Sequence, residues 1–143
     1  MTETDAKPSV VVGVDGSQSS KDALAWAAKY AEATGSQVRA ITTFESEYFL
    51  GGASPNADIA KQAHDNAQAA VHAVLGPNPA VPVKIEVVGG HPAQVLVEAS
   101  RTADMLVVGS RGHGAFVGMF LGSVSTHCVH HAKCPVLVLH DRE

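Results

Sequence analysis

The residues best suited to chemistry stand near the C-terminus. They are Gly109-Ser110-Arg111-Gly112-His113-Gly114 and, separated from Gly112 by nine residues, Gly122-Ser123. Glycine has no Cβ, so a backbone rich in it can curl and turn successive N–H groups toward an anion. A helix opening at Ser123 would add unpaired amides and the positive end of its dipole. Each such dipole contact is worth about 0.3–1 kcal/mol, and up to ~2 when partly buried. Ser123 adds a hydroxyl and Arg111 a charge. The chemistry this spacing suggests is the capture of phosphoryl groups. A sharp strand-to-helix turn alone would need one or two glycines, whereas five stand between 109 and 122.

Asp15 is the second candidate, just past the apolar run that ends at Val14. It could coordinate Mg²⁺ or accept from a ribose hydroxyl, or cap a turn, since Asp-Gly is a common turn pair. A third group lies in 126–134. His127, His131 and Cys134 fall near one face if the segment is helical, a conceivable Zn²⁺ or Cu⁺ site. Three ligands without a C-x-x-C pair fit better with an exposed face and a buried Cys134. Cys128 and Cys134 do not share a helix face and are not expected to form a disulfide. His64 and His72 are expected to face solvent. His113 either approaches a phosphate or is a solvated loop side chain, and Glu45 and Glu47 read as solvated loop carboxylates.

Several motifs are absent. There is no G-x-x-x-x-G-K-[ST] phosphate loop and no G-x-S-x-G nucleophile elbow. Gly13-Val-Asp-Gly16 follows the first apolar run where a dinucleotide fold would place G-x-G-x-x-G. With no phosphate-loop lysine and no convincing general base, hydrolysis of a bound nucleotide should be slow or absent.

The elements that must position these residues alternate regularly. Ser9–Val14 is a continuous β-branched run, the mark of a strand buried on both faces. Ser19-x-x-Asp22 reads as a helix start, and the helix continues through Ala23, Leu24, Ala27, Ala28 and Ala31 to a stop at Gly35. Val38–Phe44 reads as a strand, Glu45–Asn56 as a loop, Ala57–Leu75 as an Ala-rich helix, and Val81–Val88 as a strand. A helix opens at His91-Pro92 and runs to about Ser100, with Pro92 suited to its first position. Met105–Val108 is a strand, Ser123 to about Ala132 a short helix, and Pro135–His140 a last strand. Strands joined by helices imply an α/β fold, an open parallel sheet with helices on both faces. In such sheets ligands bind beyond the carboxyl ends of the strands, where the strand order reverses.

The totals agree. A chain of 143 residues suits one domain, 1–143, with 1–8 expected as a flexible N-terminus. Hydrophobic residues at 45% and charged residues at 17% fit a globular core. A net charge of -4 and 5% aromatics argue against a nucleic-acid partner. A polar, acidic start and the lack of a long apolar run give no signal peptide and no membrane span, so the cytoplasm is the expected location.

Taken together, these segments resemble the universal stress protein family. Val11-Val-Gly-Val-Asp-Gly-Ser17 with Ser20 and Ala23-Leu24 is similar to its first strand and turn. Gly109-Ser-Arg-Gly112 with Leu121-Gly-Ser-Val-Ser125 resembles its ATP signature, Gly-x2-Gly-x9-Gly-Ser, and Cys134-Pro-Val-Leu-Val138 its last strand. The resemblance implies a Rossmann-like, five-stranded parallel sheet of order 3-2-1-4-5, of the adenine nucleotide alpha hydrolase-like type. It implies ATP as ligand, with Gly13, Val14 and Asp15 beside ribose and phosphates, and Mg²⁺ reaching Asp15 through the nucleotide. Thr43 would meet adenine. Gly109, Ser110, Arg111, Gly112, Gly122, Ser123 and Val124 would hold the phosphates, with Ser125 nearby. It also implies a homodimer through the last strand, acting as a regulatory module in stress adaptation. Cyclic AMP or AMP as ligand, or slow ATPase activity, are the alternatives.

Overall fold

The computed structural model describes residues 8–45, 56–110 and 121–140. Along the chain run β1 (Ser9–Gly13), α1 (Gln18–Thr34), β2 (Gln37–Phe44), α2 (Asn56–Leu75), β3 (Val83–Gly89), α3 (Pro92–Ser100), β4 (Met105–Gly109), α4 (Ser123–His131) and β5 (Val136–Leu139). The five strands form one sheet of order β3-β2-β1-β4-β5, and every neighbouring pair is parallel. The α/β class and the helix alternation are those expected from the sequence, and the strand order is the one the family resemblance implies.

The apolar run of β1 is continuous because both of its faces are covered. Val10 and Val12 pack with Ala23, Leu24, Ala27 and Ala31 of α1 and with Ala67, Ala70 and Val71 of α2. Val11 points the other way, into a second core with Leu96 and Ala99 of α3 and Cys128 of α4. The alternation of Cβ direction along a strand thus splits three consecutive valines between two cores. Full burial of a side chain such as Leu24 stabilises the fold by about 1.5–3 kcal/mol.

Most element ends shift by a residue or two from expectation, and three of the shifts have a clear physical reason. The cap of α1 is Ser17, not Ser19: its Oγ accepts from Ser20 N at 3.2 Å, and Lys21 N donates to Ser17 O at 3.1 Å. Gly16, at φ 85°, turns the chain immediately before this cap. The helix is therefore two residues longer at its start than the S-x-x-D pattern suggested, and Ser19 lies inside it, buried. Strand β3 begins at Val83 because Pro82 has no N–H to donate, although Pro82 O still accepts from Val38 N at 2.9 Å. Helix α4 ends at His131 with Ala132 already extended at ψ 152°, so Cys134 lies beyond it.

The remaining elements follow their signals. Gly35 closes α1 in the left-handed region at φ 72°, where its N–H reaches Ala31 O. Pro92 occupies the first turn of α3, and His91 Nδ1 caps Ala93 N at 3.2 Å. No described helix is long and apolar enough to cross a membrane.

Candidate functional site

Strand order reverses at β1, which has β2 on one side and β4 on the other. Beyond the carboxyl ends of these strands lies a cleft of about 990 Å³, near the top of the roughly 300–1,000 Å³ usual for ligand sites. The ends of β1 (Gly13, Val14, Asp15), β2 (Ile41, Thr42, Thr43) and β4 (Val108, Gly109) form its floor. The first turns of α1 and α4 form two of its walls, and an alanine face of α2 (Ala63, Ala67, Ala70, Ala73) a third.

Nine of the residues picked out from the sequence line this one cleft: Gly13, Val14, Asp15, Thr43, Gly109, Gly122, Ser123, Val124 and Ser125. They come from four separate segments, brought together only by the sheet. Arg111 and Gly112, with His113 and Glu47, lie outside the described residues.

Ser110 is buried and is not part of the cleft wall. Its N–H donates to Leu139 O at 2.7 Å, and its carbonyl accepts from Gly122 N and, at 2.8 Å, from Ser125 Oγ. Ser110 therefore clasps the end of β4 to the start of α4. The same bonds occupy the Gly122 N–H and the Ser125 hydroxyl, which is also 3.1 Å from Gly122 O. The groups left for a ligand are the amides of Ser123, Val124 and Ser125. They precede the first intrahelical bond, Thr126 N to Gly122 O at 3.0 Å. No side chain caps this helix start and no acidic residue stands in its first turn, so its positive end meets the cleft uncompensated by either.

Gly109 is required by proximity. A Cβ built on it would fall on the Ser19 side chain, 2.8 Å from Ser19 Cβ and 2.9 Å from the Ser19 carbonyl carbon. This contact seats the first turn of α1 on the end of β4. Gly13 is similarly close to α3, where a Cβ would stand 3.0 Å from Leu96 Cδ1.

Asp15 does part of the work of a turn residue. Its Oδ1 accepts from Ser17 N at 2.9 Å, while its own N–H donates to Ser20 Oγ at 3.3 Å. The side chain stays exposed at the cleft. Turn and ligand roles, alternatives on sequence grounds, are compatible here.

Sequence reasoning missed Lys21, Asn66 and the alanine face of α2, all of which line the cleft. The signal was present for the alanines: 63, 67 and 70 recur at helical spacing and leave room where larger side chains would fill it. Nothing in the sequence marks Lys21, which is recognisable only once the first turn of α1 is seen beside the cleft.

The histidine-rich helix departs from expectation. His127 and His131 do share a face, with ring centroids 4.5 Å apart, but Cys134 lies past the helix end and donates to Pro135 O at 3.4 Å. The fully buried cysteine is Cys128. Burial first, then the nearby Cys134, pushes its thiol up to about 11. Among the described residues no three potential ligands gather around a metal position. His64 and His72 are exposed on α2, as expected.

An open parallel sheet with a glycine-bordered, amide-lined cleft at its switch point is of the doubly wound α/β type. The universal stress protein family model matches residues 8–140, and the chain belongs to that family. A universal stress protein of Mycobacterium tuberculosis is 34% identical over 92% of this chain and 48% of its own length. The chain spans about half the length of the curated relatives it matches. A crystal structure of a universal stress protein in complex with cAMP is 33% identical, covers 95% of this chain and 98% of its own, and superposes with a TM-score of 0.61. A family protein from Arabidopsis thaliana with AMP bound is 26% identical, covers 94% of this chain and 92% of its own, and gives a TM-score of 0.62.

Proposed function

We propose that the chain binds ATP in this cleft and acts as a nucleotide-liganded regulatory dimer in stress adaptation, as one cytoplasmic universal stress protein unit over 1–143. The supporting observation is the convergence of three uncommitted amides at the start of α4 with Asp15 and Thr43 on one cleft. The residues fit an adenine nucleotide. The amides suit phosphates, Asp15 suits a ribose hydroxyl or a nucleotide-borne Mg²⁺, and the apolar wall of Ile41, Ala67 and Ala70 suits a flat base. Mg²⁺, when present, would neutralise phosphate charge. The residues here bind and orient, and no side chain of the cleft other than Asp15 is a carboxylate among the described residues. Retention of nucleotide, with slow or no turnover, follows from this set.

The second reading is a single-phosphate ligand, cyclic AMP or AMP, favoured by what the two structures of related chains hold. For the dimer, the support is β5. It is an edge strand, Val136-Leu-Val-Leu139, with no charge or proline within it to discourage pairing with a second copy. Sedimentation velocity should give twice the chain mass, and a monomer at tens of micromolar would contradict the dimer. For the ligand, nucleotide-stripped protein should melt at higher temperature with Mg-ATP. A hundredfold excess over Kd adds about 2.7 kcal/mol. No shift with millimolar Mg-ATP, AMP or cAMP would overturn the nucleotide reading.

A further inference from the structure

We infer that Lys21 is the residue that selects nucleoside polyphosphates over monophosphates in this cleft. The inference rests on the adenine-nucleotide reading above and deepens it. Lys21 stands on the first turn of α1 and lines the cleft beside Ser17 and Ser20. It is half-buried, and among the described residues no carboxylate pairs with its ammonium. Among the described lining residues it is the one cation, and Asp15 the one anion.

Its position in the fold assigns it to the phosphate end. The first turn of α1 rests on Gly109 through Ser19. Gly109 precedes Ser110, whose carbonyl holds Gly122 N at the start of α4. The turn carrying Lys21 is thus joined, through two contacts, to the turn carrying the free amides of Ser123 and Val124. Thr43, at the proposed base end, belongs to β2 on the far side of β1.

Three helix amides and a dipole suffice for one phosphate group, which carries one or two charges. A triphosphate brings more charge than they neutralise. A lysine is a compact point charge on a flexible four-carbon stem, suited to follow a mobile terminal phosphate. The added attraction therefore scales with the phosphates beyond the first, so Lys21 bears little on AMP or cyclic AMP and strongly on ATP.

The test is calorimetric titration of the stripped protein with ATP, ADP, AMP and cyclic AMP, beside Lys21→Gln and Lys21→Arg. The Lys21→Gln variant keeps the helix, because glutamine and lysine have similar helix propensity. Its ATP affinity should fall about tenfold to a hundredfold, the span for a hydrogen bond to a charged group. Its AMP affinity should stay within about twofold of wild type, Lys21→Arg should retain most of the ATP affinity, and the salt dependence of ATP binding should flatten in Lys21→Gln. Equal loss for ATP and AMP, or no loss for either, would overturn the inference while leaving the nucleotide site standing. Failure of the wild type to bind any of the four would overturn both.

Discussion

At Gly109 there is no room for a side chain. The added methyl of Gly109→Ala would meet the backbone carbonyl carbon of Ser19 at 2.9 Å, and a helix backbone cannot step aside as a side-chain tip can. Overpacking of this kind costs about 1–3 kcal/mol. Urea unfolding of Gly109→Ala should show that loss, and an unchanged midpoint would mean that α1 does not sit on β4 this closely. Gly122 is different. Its φ of -75° and ψ of 173° suit any residue, so its value lies in its place between Ser110 and the free amides, not in backbone freedom. The two thiols also separate at this scale. Cys128 is fully buried, with its thiol pushed up to about 11, whereas Cys134 is partly exposed and raised less strongly, first by burial and then by Asp104. A thiol reagent at pH 8 should label Cys134 in the folded protein and Cys128 only after unfolding. Equal labelling rates would contradict the packing of α4 on the second core.

Among the elements, β2 and β3 are tied by more than their ladder. Arg39 Nε reaches Glu86 Oε2 at 2.7 Å, Arg39 Nη2 reaches Oε1 at 3.0 Å, and Nη1 reaches Thr102 Oγ1 at 3.2 Å. The hydrogen bond from Arg39 holds the Glu86 carboxyl below the ordinary range, against a smaller opposing effect of burial. A depressed carboxylate adds stability above its unfolded pKa and loses it as pH falls through the folded one. Acidification below the ordinary carboxylate range should therefore weaken the fold, and Glu86→Gln should flatten that dependence in denaturant titrations at several pH values. An identical slope in wild type and variant would show that the pair does not act in the folded state. Elements were more legible than their ends. The run Ser9–Val14 announced a central strand because nothing else places four apolar β-branched residues together under two layers. The start of α1 was misplaced because Ser17, Ser19 and Ser20 are all competent caps, and the turn at Gly16 and Asp15 chooses between them. Lys21 stayed hidden for another reason: only the assembled sheet sets the first turn of α1 beside the cleft.

The whole molecule was legible in its class, because alternating strands and helices permit few open parallel sheets, whereas the strand order came only from the family resemblance. It was less legible in the partition of the glycine segment. Gly109, Gly122, Ser123 and Val124 reached the cleft, while Ser110 turned inward, a choice made by hydrogen bonds to Leu139 and Gly122 that lie far apart in sequence. The fold places two helix starts and three strand ends around one cavity, so a ligand there touches most of the elements. Its binding should stabilise the molecule as a unit rather than one loop. The measurement that tests this most directly is calorimetric titration of Mg-ATP into stripped wild type, Ser123→Ala and Ser123→Pro. Proline is tolerated at the first position of a helix, and Gly122 already has the extended backbone that must precede it. The variant therefore removes one amide and leaves the helix. Wild type should bind with a Kd in the micromolar range, about -8 kcal/mol. Ser123→Ala should stay close to it, and Ser123→Pro, still folded, should lose about tenfold or more, as loss of a hydrogen bond to a charged group implies. Full ATP affinity in folded Ser123→Pro would contradict the account, because the phosphates would then lie somewhere other than the start of α4.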